Sequence, residues 1–182
     1  MRRFFALCVF GICNAATAAA PVPEAPCCAP AGSPATRWVF DAVTDAMTGE
    51  KLCSALSPIS SVWVSELKTS ADVRLAVVFV GKKVAVLAKI ESKGAGSPIF
   101  HSTAGGMGVK AGDRFYPLTR RMGQKAIAAS DSGALADALL LSTDARMRLL
   151  FWPYETNYDT PKFSNAGLVD AVQRAAKCAG GL

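Results

Sequence analysis

The stretch "DVRLAVVFVGKKVAVLAKIES", Asp72 to Ser92, restricts the fold more than any other part of this chain. Two runs rich in β-branched residues flank Gly81-Lys82, and a two-residue connection with glycine first is the pattern of a type II′ hairpin turn. The first run is apolar throughout its middle, as a central strand is. In the second, Val84, Val86, Ala88 and Ile90 alternate with Lys83, Ala85, Leu87 and Lys89, the pattern of a half-exposed strand.

Weaker signals on either side extend this into a sheet. "RWVFDAV" reads as a first strand with Trp38 and Phe40 on one face, and "LCSAL" as its return beyond a turn at Thr48-Gly49, ended by Ser57-Pro58. "IFHS" is expected as a short strand between the glycine-rich loops "KGAGSP" and "TAGGMG", and "VKAGDRFYPLT" as a hairpin turning at Ala111-Gly112-Asp113. The period changes in "SDSGALADALLLS": Leu135, Leu139 and either Ala138 or Leu141 form a helical stripe, with Ser130 or Asp131 as its cap. "ARMRLLFWPYE" returns to a strand that must stop near Pro153. "FSNAGLVDAVQRAAKC" reads as a terminal helix capped by Ser164. Leu168, Val172 and Ala176 share one face, Asp170 pairs with Arg174, and Gly180-Gly181 closes the element. The fold class is therefore α+β: a largely antiparallel, sandwich-like sheet with two helices, one of them C-terminal.

The N-terminal residues carry a different kind of information. "MRRFFALCVFGICNAATAAA" has two arginines, an apolar run from Phe4 to Cys13 and small residues at Ala18-Ala19-Ala20, which together read as a signal peptide over residues 1–20. The apolar run is too short to span a bilayer core of roughly 30 Å. Residues 21–36, "PVPEAPCCAPAGSPAT", hold five prolines and almost no charge, as an extended linker does. Residues 37–182 make a single domain. Cleavage would place the protein in the periplasm or outside the cell, with no transmembrane segment and a net charge of about +4 from the +6 of the whole chain. The basic residues are scattered, and "KK" at 82–83 and "RR" at 120–121 are the only adjacent pairs among them beyond the leader. Nucleic-acid binding would need a denser stripe and is not expected.

Export would put the remaining cysteines, Cys27, Cys28, Cys53 and Cys178, in an oxidising space. Neighbours Cys27 and Cys28 are disfavoured as a pair, because Cα atoms about 3.8 Å apart lie below the disulfide range of roughly 4.4–6.8 Å. Two arrangements tie the linker to both Cys53 and Cys178. A third joins Cys53 to Cys178 and leaves Cys27 or Cys28 to engage another chain in a disulfide-linked oligomer. Zinc is a poor competitor, with no suitable cysteine spacing and one histidine. No metal and no cofactor are expected.

Catalytic signals are weak. His101 is the only histidine and no "GxSxG" elbow accompanies it, so no catalytic residue is assigned. "GGMGVKAGD" fits neither phosphate-loop spacing and reads as a flexible hairpin connection. Asp131 and Asp137 point different ways on a helix. Trp38 and Trp152 sit in apolar runs and are expected in the core, whereas Trp63, after "SPISSV", is expected at the surface. "WPYETNYDTP", 152–161, reads as a loop mixing aromatic and polar residues. Trp63, Trp152, Tyr154 and Tyr158 are the residues from which an interaction surface would be built.

"RWVFDAVTDAMTGEKLC", "DSGALADALLL", "RMRLLFWPYE" and "FSNAGLVDAVQRAAKC" together resemble exported proteins of the invasion-associated locus B type and small exported proteins associated with type VI secretion. The resemblance spans about the first fifteen and last fifty residues of the domain. It implies packing roles for Phe163 and Leu168, brings no active-site residues, and implies a non-enzymatic periplasmic or envelope accessory domain. The expected function is thus a binding module for a protein or envelope polymer, linked to secretion or host interaction. A small hydrolase with a site assembled from distant strands is the alternative, as is an inhibitor that plugs an enzyme cleft with loop 93–108.

Overall fold

The computed structural model describes residues 36–44, 46–94, 96–101 and 105–180. Eleven strands and two helices follow one another as β1 (Val39–Thr44), β2 (Lys51–Leu56), β3 (Ser60–Val64), β4 (Thr69–Val80), β5 (Lys83–Ile90), β6 (Gly108–Ala111), β7 (Arg114–Arg121), β8 (Ala126–Ala129), α1 (Ser132–Leu141), β9 (Asp144–Leu150), β10 (Asn157–Asp159), β11 (Phe163–Ser164) and α2 (Leu168–Cys178). The sheet order is β1-β2-β4-β5-β8-β7-β6-β9-β10, with β3 added to β4 and β11 to β9. All its ladders are antiparallel. The architecture is the expected α+β, mostly antiparallel sheet with two helices.

The hairpin around Gly81-Lys82 seeds this arrangement. Val80 pairs with Lys83 and Val73 with Ile90, and Gly81 takes φ +57°, a conformation that costs glycine little. β4 is indeed central. Its far edge carries β2 along Ala76–Phe79 and β3 along Thr69–Val73. Between these two strands, buried Ser57 takes over the hydrogen bonding that Pro58 interrupts. Its amide donates to Leu75 O at 2.8 Å, and its hydroxyl accepts from the Leu75 amide at 2.9 Å. The chain therefore resumes at Ser60 on the same edge, where Val62 and Val64 turn inward and Trp63 turns out.

One face of the curled sheet and both helices enclose the main core. Leu75, Val77, Val86, Val109, Met147 and Leu149 meet Leu135 and Leu139 of α1 and Leu168 and Ala171 of α2 there. Each of these leucines contributes about 1.5–3 kcal/mol by leaving water. A small second cluster on the other face joins Leu56, Ala76, Leu87 and Ala128. Asn165 knits the layers together: its side-chain amide donates to Leu139 O and Ser142 O, both at 3.0 Å, while its carbonyl accepts from the Trp38 indole at 3.3 Å. Phe163 and Leu168 are both buried, and the Phe163 ring lies 6.4 Å from that of Trp38.

Several expectations need correction. Of "IFHS", the described residues Ile99 to His101 form no strand, and only Phe100 bridges, to Phe151; Ser102 lies outside the described residues. Part of "GGMGVKAGD" is no flexible connection, because Gly108–Ala111 is β6, held between β7 and β9. The 152–161 segment is not all loop, since Asn157–Asp159 pairs with β9. Ser164 belongs to β11 and does not cap α2, which starts after Gly167 without a side-chain cap. Its buried line is Leu168, Ala171 and Ala175, with Val172 beside it and Ala176 only half-buried. α1 follows the sequence more closely: Asp131 accepts from the Ala134 amide at 3.0 Å as N-cap, and Leu135 and Leu139 are buried.

Cys53 is bonded to Cys178, joining β2 to the end of α2. This overturns the two arrangements that tie the linker to these cysteines, since each sulfur already has its partner. Cys27 and Cys28, like the expected signal peptide over residues 1–20 and all of the expected linker but Thr36, lie outside the described residues.

Candidate functional site: a basic face on β7, β6 and β9

Strand alternation builds one surface on the side of β6 away from the core. Val109 and Ala111 point inward and are buried, so Gly108 and Lys110 share the outer face. Register sets Phe115 of β7 opposite Lys110, Pro117 opposite Gly108, and Arg146 and Arg148 of β9 opposite Lys110 and Gly108. β10 adds Asp159 opposite Arg148.

Two local features shape this surface. A Cβ on Gly108 would fall 2.2 Å from Phe115 Cζ and 2.7 Å from Tyr116 O, so the Phe115 ring occupies the space that a side chain would take. Only glycine permits that contact, and the ring remains 46% exposed. Arg148 is clamped by Asp159 through two bonds, Nε to Oδ1 at 2.8 Å and Nη2 to Oδ2 at 3.0 Å. The guanidinium's hydrogen bonds, then its charge and that of Arg146, hold the Asp159 carboxyl below its ordinary range against the opposing effect of burial, and the Asp159 hydrogen bonds and charge raise Arg148 in turn.

Lys110 and Arg146 are different. They stand directly opposite each other, and among the described residues neither side chain makes a hydrogen bond or ion pair. Like charges facing each other across a ladder destabilise it, so the position is one where a bound anion would relieve repulsion. Phe115, Lys110, Arg146, Arg148 and Asp159 line a groove of about 280 Å³. Among the described residues, three cations there meet one carboxylate, which is bonded to Arg148. A smaller hollow of about 170 Å³ continues past Lys110 and Arg146 to Asp113 and the Asp144–Lys162 pair, whose atoms are 3.3 Å apart.

The expected aromatic residues do not line this groove. Trp63 is exposed on β3, as anticipated, but Trp152 is 54% exposed and not in the core. β9 ends just before it, and its amide bonds instead to Ile99 O at 2.9 Å. Tyr154 is half-buried. Tyr158 packs its ring 5.8 Å from Phe151, on the opposite side of β10 from Asp159, and gives its hydroxyl to Glu66. Ser65 and Thr156 also donate to Glu66, at 2.7 and 2.8 Å, and these bonds lower its pKa. This cluster fastens the β3–β4 turn to the segment around β10.

His101 is half-buried, and its amide donates to Leu150 O at 3.0 Å. Asp131 is occupied as a helix cap. Among the described residues, no group of three or more His, Cys, Asp or Glu could hold a metal ion, and no helix is long and apolar enough to cross a membrane. Reasoning from sequence missed Lys110, Phe115 and Arg146. The available signal was the alternation of "GVKA" and "ARMRL", which assigns the cations to one face once β6 and β9 are known to be neighbours. Comparison with protein-family models, with curated proteins and with solved structures found no match for this chain.

Proposed function

We propose that this domain is an exported, non-enzymatic binding module that holds an anionic polymer of the cell envelope on the outer face of β7, β6 and β9. The observation that carries the reading is the facing pair Lys110 and Arg146, neither of which is in an ion pair among the described residues, beside the half-exposed Phe115 ring. Polar groups that could run a reaction are engaged elsewhere: Asp159 with Arg148, Glu66 with three hydroxyls, Asp131 with a helix end. The leader-like N-terminus and the resemblance to exported accessory proteins support an envelope location.

The test is binding of residues 21–182 to poly-glutamate and to polygalacturonate, with neutral dextran as control. Both polyanions are expected to bind at low salt and to be released toward about 0.15 M salt, where the screening length falls to about 8 Å. Lys110→Ala with Arg146→Ala should weaken binding about tenfold or more, the equivalent of roughly 1.4 kcal/mol. Failure of both polyanions to bind, or indifference to the double substitution, would remove the reading.

A further inference from the structure

We infer that the anion carries a saccharide ring, and that the groove takes an acidic saccharide whose ring covers Phe115 while its acid group lies between Lys110 and Arg146. This rests on the binding-module reading and gives its ligand a chemistry.

Three observations lead there. Phe115 lies where a side chain on Gly108 would be, so a large apolar surface is held against the sheet and still left nearly half exposed. A fixed, partly open ring is a stacking platform, and a bare carboxylate or phosphate makes no use of it. Phe115 and Arg146 are the two register partners of Lys110, one on each side. Opposed side chains on neighbouring strands start about 4.5–5.5 Å apart, so an acid group attached to a stacked ring can reach both cations at once.

The third observation separates saccharides from nucleic acid. Asp159 stands in the groove and Asp113 beside its continuation. Beyond its two bonds to Arg148, Asp159 keeps lone pairs, and both carboxylates can accept hydrogen bonds from the hydroxyls that a saccharide presents around its ring. Single-stranded nucleic acid is commonly read by successive stacked bases along a groove, and among the described residues Phe115 is the one aromatic lining this one.

Calorimetric titration of residues 21–182 decides the matter with four probes: a galacturonate oligomer, a glutamate oligomer of equal charge, a neutral maltose oligomer and oligo(dT). The galacturonate oligomer should bind about tenfold more tightly than the glutamate oligomer, a difference within reach of one stacked ring. Phe115→Leu should abolish that preference, bringing the two acidic oligomers to equal affinity, whereas Phe115→Trp should preserve it. Both variants are checked for an unchanged thermal midpoint. Equal affinity for the two acidic oligomers would overturn the saccharide assignment while leaving the polyanion reading intact. Binding of neither would overturn both, and tighter Phe115-dependent binding of oligo(dT) would replace the saccharide by a polynucleotide.

Discussion

Gly108 is the residue on which the proposed binding face depends most, because its missing side chain is what admits the Phe115 ring. In Gly108→Ala, the new Cβ meets Cζ at 2.2 Å and the Tyr116 carbonyl at 2.7 Å. The ring can swing away, but the backbone oxygen cannot do so without shifting β7. Overpacking of this kind costs about 1–3 kcal/mol. Urea unfolding should show that loss, and Phe115→Ala in the same chain should restore only the part due to the ring. Full stability in Gly108→Ala would mean that the ring has room to spare. Asp159 offers a second residue-scale test. Arg148 holds its carboxyl below the ordinary 3.8, so the pair's contribution is complete above that value. It is lost as pH falls through the lowered folded value. Urea midpoints measured from pH 7 to pH 3 should therefore fall less steeply for Asp159→Asn than for the wild type. Parallel profiles would show that the pair, which is partly exposed, adds nothing to acid stability.

Among the elements, α1 is the one whose start is fixed by a single side chain. Asp131 satisfies the Ala134 amide, so Asp131→Ala should cost about 1 kcal/mol in urea or thermal unfolding, and Asp131→Asn close to nothing. A neutral alanine variant would mean that packing of Leu135 and Leu139 alone sets the helix end. Elements like this were legible because the signal is local: a cap, a 3.6-residue stripe, a two-residue glycine turn. β4 and β5 could be read for the same reason. β3 was not, although Val62 and Val64 alternate with Ser61 and Trp63, because Pro58 looks like an end. Only Ser57 bonding to Leu75 shows that β3 continues on the edge that β2 leaves. β8, four residues of alanine and isoleucine, has too little contrast between its faces to declare itself. Trp152 misled for a related reason: its apolar neighbours Leu149, Leu150 and Phe151 are buried, but the ladder stops before it. The proposed binding face was hidden because Lys110, Phe115, Arg146, Arg148 and Asp159 come from four strands, and strand order is not written in any one of them.

At the level of the whole domain, the disulfide does what no local element can. It joins β2, the second strand, to the last turn of the last helix, across 125 residues of sequence. α2 packs on β1 and β2, so the bridge closes the domain where its first and last elements already meet. Most of its contribution falls on the unfolded chain, which loses the freedom of a very long loop; the chain-entropy account puts this at about 4–5 kcal/mol. Replacing both cysteines by alanine should lower the unfolding free energy by about 3–5 kcal/mol, the smaller figure allowing for residual structure in the unfolded state. Guanidinium unfolding of the wild type with and without reductant gives the same comparison without mutation. A non-reducing peptide map should recover Cys53 with Cys178. Were the linker cysteines to exchange into this pair, peptides holding Cys27 or Cys28 would appear joined to one or both. An unchanged unfolding midpoint after reduction would show that packing of α2 on β1 and β2 suffices, and that the sulfur bridge merely follows the fold.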